Sequence, residues 1–462
     1  LTTKGNVGTV IEYGGEGIKN LSVSDRATIT NMGAELGVTT SVFPSDEVTL
    51  AFMKAQNREK DWIQLKADED AQYDKMIEIN LDQLEPMIAL PHSPDNIKTV
   101  KEVAGKKIHQ VLIGSCTNGS FRDLMVAAHM LKDKRIKNDV SFGIAPGSRQ
   151  VLEMVSNNNA LATLVQSGAR ILESTCGFCI GSGQAPNSGG ISIRTNNRNF
   201  KGRSGTEDAG IYLVSPETAV ACALTGEITD PRSLNLSPIE FSLPKEFYVD
   251  DSQFVFSKGD KETEILRGPN IGNPPKNISM PQTIKGFATL KVGDKITTDH
   301  IMPAGFRLKY RSNIEKYATF VFEGVDAQFS EKAKKIKEQG LHNIIIGGHS
   351  YGQGSSREHA AMCPMFLGVK VVIAKSFERI HTDNLINFGI LPALFKDEKD
   401  YDSIEQNHEL VIENIRKQIE KESSLKVKNL TTQKEFEVIL NLSDRQRKML
   451  LAGGKLNLIK EG

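Results

Sequence analysis

The stretch HQVLIGSCTNGS, residues 109–120, joins a short apolar run to a polar turn punctuated by glycine. An apolar run of this length bounded by turn residues reads as a buried strand. Cys116 would then stand just past the carboxyl end of that strand, the edge at which open α/β sheets bind ligands. The same grammar recurs in SFGIAP (141–146), ARILES (169–174), ISIRTN (191–196) and IYLVSPE (211–217), with helical stretches between them. Such alternation predicts an α/β unit from about residue 93 to 235. Before it, residues 1–92 hold one clear helix near 24–36, closed by Gly37, and then polar and acidic segments. After it, LRGPN (266–270) and GNPPKN (272–277) mark a linker over 236–280, where proline and glycine forbid regular elements. A second α/β unit follows over 281–462, opening at KGFATLKVGD, with NIIIGG (343–348) and KVVIAK (370–375) as its clearest buried strands.

Composition narrows the function. The 462 residues suggest roughly three domains. Lys+Arg and Asp+Glu both number 57, so no global field recruits nucleic acid or an anionic membrane, and an anionic substrate must be met by placed residues. Five unevenly spaced cysteines are too few for a disulfide framework and fit a reducing compartment. No run of 18 or more apolar residues is present, and the opening LTTKGNVGTV lacks the pattern of a signal peptide. The expectation is a soluble intracellular protein, cytoplasmic or, in a eukaryote, of the mitochondrial matrix.

ARILES runs into TCGFCIG (175–181) just as HQVLIG runs into SCTNGS. Taken alone, Cys176 and Cys179 fit structural zinc, a redox pair or a cluster. Together with Cys116 they make three thiolates at strand ends. Held by three thiolates, a four-iron cluster keeps one iron open as a Lewis acid for a hydroxyl and a carboxylate. Cys222 falls in SPETAVACALTG, where Ser215 caps a helix with Pro216 at its first position, and Cys363 follows a helical pattern. Both are expected to be inert.

GSCTNGS, TCGFCIG, NNRNFKGR (196–203), TTDHIMPAG (297–305) and YGQGSSREHAA (351–361), in that order, resemble the aconitase family of iron-sulfur hydro-lyases over essentially the whole chain. The resemblance implies a multidomain α/β core holding a [4Fe-4S] cluster on Cys116, Cys176 and Cys179, and a C-terminal swivelling β/β/α-type domain reached through the linker. It also implies a small tricarboxylate substrate, isomerised by dehydration and rehydration. By the same resemblance Asn31 and Asn197 neighbour the cluster, and Glu35 helps order its bound water. Arg198, Arg203, Arg311, Ser356 and Arg357 bind substrate, Asp299 is an orienting acid, and Ser355 abstracts the proton. His300 is left as structural. Planar guanidinium forks suit carboxylates better than lysine does.

Plainer readings compete. Asn31 and Glu35 share a face of the first helix opposite an apolar stripe of Ile29, Met32 and Leu36, which alone suggests a solvated face. Ser355 and Glu358 have the spacing of a helix capping box. The family's N-terminal domain, with its histidines, aspartates and serine, has no counterpart here, so it is expected in cis or as a separate chain. Sister isomerases acting on isopropylmalate or homoaconitate, and an RNA-binding role of a cluster-free form, are the alternatives.

Overall fold

The computed structural model describes residues 2–461 except 4, 5, 237–241, 243, 257, 258, 260, 261 and 355. The chain divides into two compact units, Leu1–Lys258 and Gly259–Gly462, and the division falls inside the segment read as a linker.

In the first unit, β1 (Val10–Glu12) and β2 (Thr40–Val42) form a small parallel pair. The main sheet holds β3 (Met87–Ala89), β4 (Ile97–Thr99), β5 (Gln110–Gly114), β6 (Ser141–Ala145), β7 (Arg170–Ile171), β8 (Ile191–Arg194) and β9 (Gly210–Leu213), in the order β4-β3-β9-β8-β5-β6-β7. β5 to β9 run parallel, so their carboxyl ends share one edge. β5 is buried along its whole length, because helices cover both faces of a parallel sheet and leave no polar side to alternate. β3 and β4 lie on either side of residue 92 and join the same sheet, which therefore crosses the boundary expected there. ARILES contributes only Arg170 and Ile171 to the ladder before the chain leaves for the cysteine loop.

The helix Val23–Leu36 starts at a Ser22/Asp25 capping box and ends at Gly37, with φ 75°. Its buried side is not the apolar stripe. Arg26, Gly33 and Glu35 are the buried residues, while Ile29, Met32 and Leu36 are half-buried. Long-range partners explain the reversal: Arg26 places both terminal nitrogens 2.8 Å from the Asp46 carboxylate and also donates to the carbonyls of Ile18, Leu21 and Pro44. A buried guanidinium so surrounded is satisfied, and the helix turns its charged face inward.

The second unit is a closed barrel of β10 (Ile284–Lys291), β11 (His342–Gly347), β12 (Val369–Ala374), β13 (Leu391–Phe395), β14 (Glu409–Ile412), β15 (Ser424–Asn429) and β16 (Lys434–Ile439), in the order β10-β11-β12-β13-β16-β15-β14. Along β11, Ile344 and Ile346 enter one apolar cluster and Ile345 another. Val371 and Ile373 are separated from Val372 in the same way along β12. Helices complete each cluster, so period-two alternation yields continuous apolar runs. No helix among the described residues is long and apolar enough to cross a membrane.

Candidate active site

Three loops at the carboxyl edge of the first unit's sheet carry the predicted groups. After β5 the chain makes a tight turn at Gly114, φ 120°, where a Cβ would meet the carbonyl oxygen of Ala145 at 1.9 Å. The Gly114 amide donates to Thr195 Oγ1 at 2.9 Å and the Asn118 side chain to the Thr195 carbonyl at 2.9 Å, which ties the Cys116 loop to the end of β8. Ser120 then caps the helix Phe121–Leu131. Cys116 is thereby left exposed between a strand end and a helix start.

Around the thiols stands a polar ring. Asn31 Nδ2 lies 3.7 Å from Cys116 Sγ, and Asn197 Nδ2 donates to Asn31 Oδ1 at 2.8 Å and Glu35 Oε1 at 3.1 Å. Arg198 Nε forms a 2.7 Å ion pair with Glu35, and Arg203 Nη2 donates to Cys179 Sγ at 3.5 Å. The i,i+4 face of the first helix is therefore occupied by residues more than 160 positions away, and the solvated-face alternative does not hold. Burial raises the Glu35 carboxyl above its ordinary value, opposed by Arg198 and then Arg203. Burial also pushes the Cys176 thiol up, Cys116 and Cys179 add to this, and Arg203 and Arg198 counter it. Each of these groups thus lies within electrostatic reach of Cys176.

Among the described residues, no group of three or more His, Cys, Asp or Glu could hold a single metal ion. A mononuclear site needs every donor within bonding distance of one point, whereas a cluster presents separate irons and spreads its thiolates. N–H donors aimed at two of the three sulfurs suit thiolates, the form in which a metal or cluster would be held.

Sequence reasoning missed Arg194. Its side chain is 1% exposed and donates to Ser192 Oγ, the Phe178 carbonyl, Gln110 Oε1 and the Gln184 carbonyl at 2.8–3.1 Å. It pins the Cys176–Gly181 turn to the sheet while burial holds its guanidinium down at about 10. An arginine inside the apolar strand run ISIR was the available signal. Arg194→Met removes four hydrogen bonds at once, although Gln110 Oε1 and the Phe178 and Gln184 carbonyls each keep a second donor, and is expected to cost about 3 kcal/mol in denaturant unfolding. A loss below about 1 kcal/mol would mean that water takes its place.

In the second unit Arg357 Nη1 lies 2.6 Å from Asp299 Oδ1 and 3.2 Å from the Met302 carbonyl. Asp299 is in the first turn of the short helix Thr298–Ile301, capped by Thr297, and the His300 ring accepts from the Thr297 amide, a structural role. Arg311 is exposed, and its carbonyl bonds His359 Nε2 at 2.9 Å. Burial pushes the Tyr317 hydroxyl up to about 12, and Arg357, Asp299 and Arg311 all act on it, so these three gather around one ring. Ser356 is exposed, and Ser355 lies outside the described residues. The helix here is His359–Phe366, with Glu358 at its N-cap and no side-chain cap bond.

A model of the aconitase family (aconitate hydratase) matches residues 1–226, and one of the aconitase C-terminal domain matches residues 288–398. A probable mitochondrial aconitate hydratase of Dictyostelium discoideum is 33% identical over all of this chain and 68% of its own length. The chain belongs to the aconitase family. Another member similar to it is the mitochondrial homocitrate dehydratase of Saccharomyces cerevisiae, 33% identical over 92% of this chain. This aconitase-family chain spans 62% of the yeast protein's length. A crystal structure of 3-isopropylmalate dehydratase from Methanocaldococcus jannaschii, 31% identical, covers 39% of this chain and 94% of that one at a TM-score of 0.33.

Proposed function

We propose that this chain carries the cluster-bearing core and the C-terminal unit of an aconitate hydratase, a hydro-lyase that interconverts citrate and isocitrate through cis-aconitate. The observation that carries the reading is the gathering of three cysteines, two arginines and the Asn31–Asn197–Glu35 network at one sheet edge. Cys116, Cys176 and Cys179 would hold a [4Fe-4S] cluster, which when bound supplies a Lewis-acidic iron without a cysteine ligand.

The chain's own residues do the rest. Arg198 and Arg203 present guanidinium groups for carboxylates in the first unit, and in the second Arg311 and Arg357 do so, with Ser356 adding a hydroxyl. Glu35, buried and hydrogen-bonded, orders a proton-bearing group beside the thiols. Asp299 fixes the plane of Arg357, and Ser355 takes the substrate proton. Because these 462 residues span about two thirds of their relatives, the remaining residues of the site are expected from a further domain in cis or in trans. The setting is aqueous and reducing, the matrix if the source is eukaryotic.

The similarity to a homocitrate dehydratase favours one second reading, a homologous acid with one more methylene. A side-by-side comparison of kcat/KM on the whole protein decides between them. Citrate and isocitrate should be turned over, and isopropylmalate at least about a hundredfold more poorly. Its alkyl group leaves a guanidinium without its carboxylate, and an unmet polar group discriminates far more than a methylene does. Homoaconitate keeps three carboxylates and should be rejected less. Arg311→Lys should weaken citrate but not isopropylmalate. Equal rates on citrate and isopropylmalate would sink the aconitate reading in favour of a sister isomerase.

A further inference from the structure

The loop that leads into Ser355 is clasped from several sides. The Ser350 amide donates to Ser376 Oγ at 2.8 Å, the Tyr351 amide to the Ser376 carbonyl at 3.0 Å, and the Glu378 amide back to the Tyr351 carbonyl at 2.9 Å. Ser350 also shares a hydrogen bond with the Glu378 carboxylate. From the other side, the Gly352 and Gln353 amides both donate to the Ile296 carbonyl, at 2.7 and 3.1 Å. Behind Gly352 lies His381, 1% exposed, on the helix Arg379–Asn387. Its ring centroid is 5.5 Å from that of Tyr351. A Cβ on Gly352 would meet three atoms of His381 at 2.3–2.4 Å, so the loop backbone rests directly on this side chain. Gly352 also has φ +87°.

The chemistry of His381 is unusual for so buried a group. Among the described residues neither ring nitrogen has a hydrogen-bond partner, nor does Nδ2 of Asn384 one turn further on. Burial holds the imidazole down at about 4, so it is neutral near pH 7. A buried imidazole without partners carries a desolvation cost that an apolar side chain of similar size would not. It therefore does not anchor the helix through hydrogen bonds, and its contact with the loop is one of shape. Departures from local economy of this kind concentrate next to functional segments.

We propose that His381 is a positioning residue for the loop that starts at Gly352: its side chain is the seat against which the Gly352 backbone is pressed, and glycine is required at 352 because Cβ, Cγ and Cδ2 of the histidine leave no space for another Cβ. The seat sets where Ser356 and Arg357 are presented. Its relevance to turnover rests on the proposed function, whereas the seat itself can be tested without activity.

Amide hydrogen exchange on the 462-residue chain reads the seat directly. In His381→Ala, the Gly352 and Gln353 amides should exchange at least about tenfold faster, while those of Ile344–Ile346 stay unchanged. Gly352→Ala should do the same, and because Cβ of His381 is itself 2.4 Å from the position of the new methyl, it is the Gly352→Ala/His381→Gly double variant that should regain protection. Gly354→Ala is the control: φ there is +99° and the nearest atom to a Cβ is Thr298 Oγ1 at 3.8 Å, so it suffers strain without a clash. His381→Gly should not improve it. His381→Phe, which keeps a ring of similar size and folds without a cavity, should hold exchange within about twofold of the parent. Unchanged exchange in His381→Ala, no recovery in the double variant, or lost protection in His381→Phe would each overturn the seat. In the whole enzyme His381→Ala should lower kcat about tenfold with KM little altered. Faster exchange with unaltered kcat would leave the seat standing and count against the catalytic reading of the loop.

Discussion

A protein in which Cys116, Cys176 or Cys179 is changed to serine is expected to emerge from anaerobic purification without iron, without sulfide and without brown colour. The alcohol is a far weaker acid than the thiol and a poor ligand for an iron-sulfur group, and a three-thiolate site that loses one ligand has little left to close around. The surroundings are arranged for all three sulfurs at once. Asn31 lies 3.7 Å from Cys116 Sγ, Arg203 donates to Cys179 Sγ at 3.5 Å, and the Cys176 thiol responds to both of the others. Cys222 and Cys363 supply the contrast. Both are fully buried within helices, and burial pushes their thiols up, Cys222 to about 11. A group held so firmly as the thiol is a packing element, so serine there should leave iron content at the parent level. Iron and sulfide quantification on the five variants makes the measurement. Parent levels of iron in any of the first three would remove that cysteine from the cluster.

The same contrast shows what a single sequence discloses. The start of the helix holding Cys222 was legible to the residue, because Ser215 and Pro216 are local signals that act within a turn, and the structure places them at the cap and first position of Pro216–Thr225. The strands β5, β6, β11 and β12 were legible because burial on both faces writes a short apolar run into each. The first helix was misread from periodicity. Its inward face carries Arg26 and Glu35, and what makes those charges tolerable inside is Asp46 and Arg198, the latter supplied by a loop on the far side of the sheet sequence. Local pattern cannot see a partner 163 positions away, and only the motif resemblance joined Glu35 to the site. His381 was silent for the same reason and Arg194 showed only as an arginine within a strand run, since their meaning lies in the Gly352 backbone and the Phe178 carbonyl that they touch.

Changing Ser355 to alanine is expected to reduce kcat by roughly a hundredfold to ten-thousandfold, the range for removal of a positioned general base, with KM and iron content little changed. Two functions compete for this serine, and they predict opposite readouts. As a helix cap it would stabilise the fold by about 1 kcal/mol, which for a unit of this size shifts the melting temperature by roughly 2–4 °C while leaving turnover near normal. The helix that follows begins at His359 with Glu358 at the capping position. As a base, the hydroxyl has to be deprotonated far below its usual range, which requires fixed positive charge and oriented donors nearby. Arg357, two positions on, is held at 2.6 Å by Asp299 and donates to the Met302 carbonyl at 3.2 Å, leaving its side chain only 15% exposed. Asp299 offsets part of that charge, so its main contribution is to fix the direction of the guanidinium. Asp299→Asn should therefore impair turnover less than Ser355→Ala, by about tenfold, while Arg357→Lys, which loses the planar fork, should raise KM as well. Kinetics and thermal melts on the same preparations of the whole enzyme separate the cases. A Ser355→Ala protein with a lowered melting temperature and near-normal kcat would return the serine to the cap and leave the proton abstraction to another group.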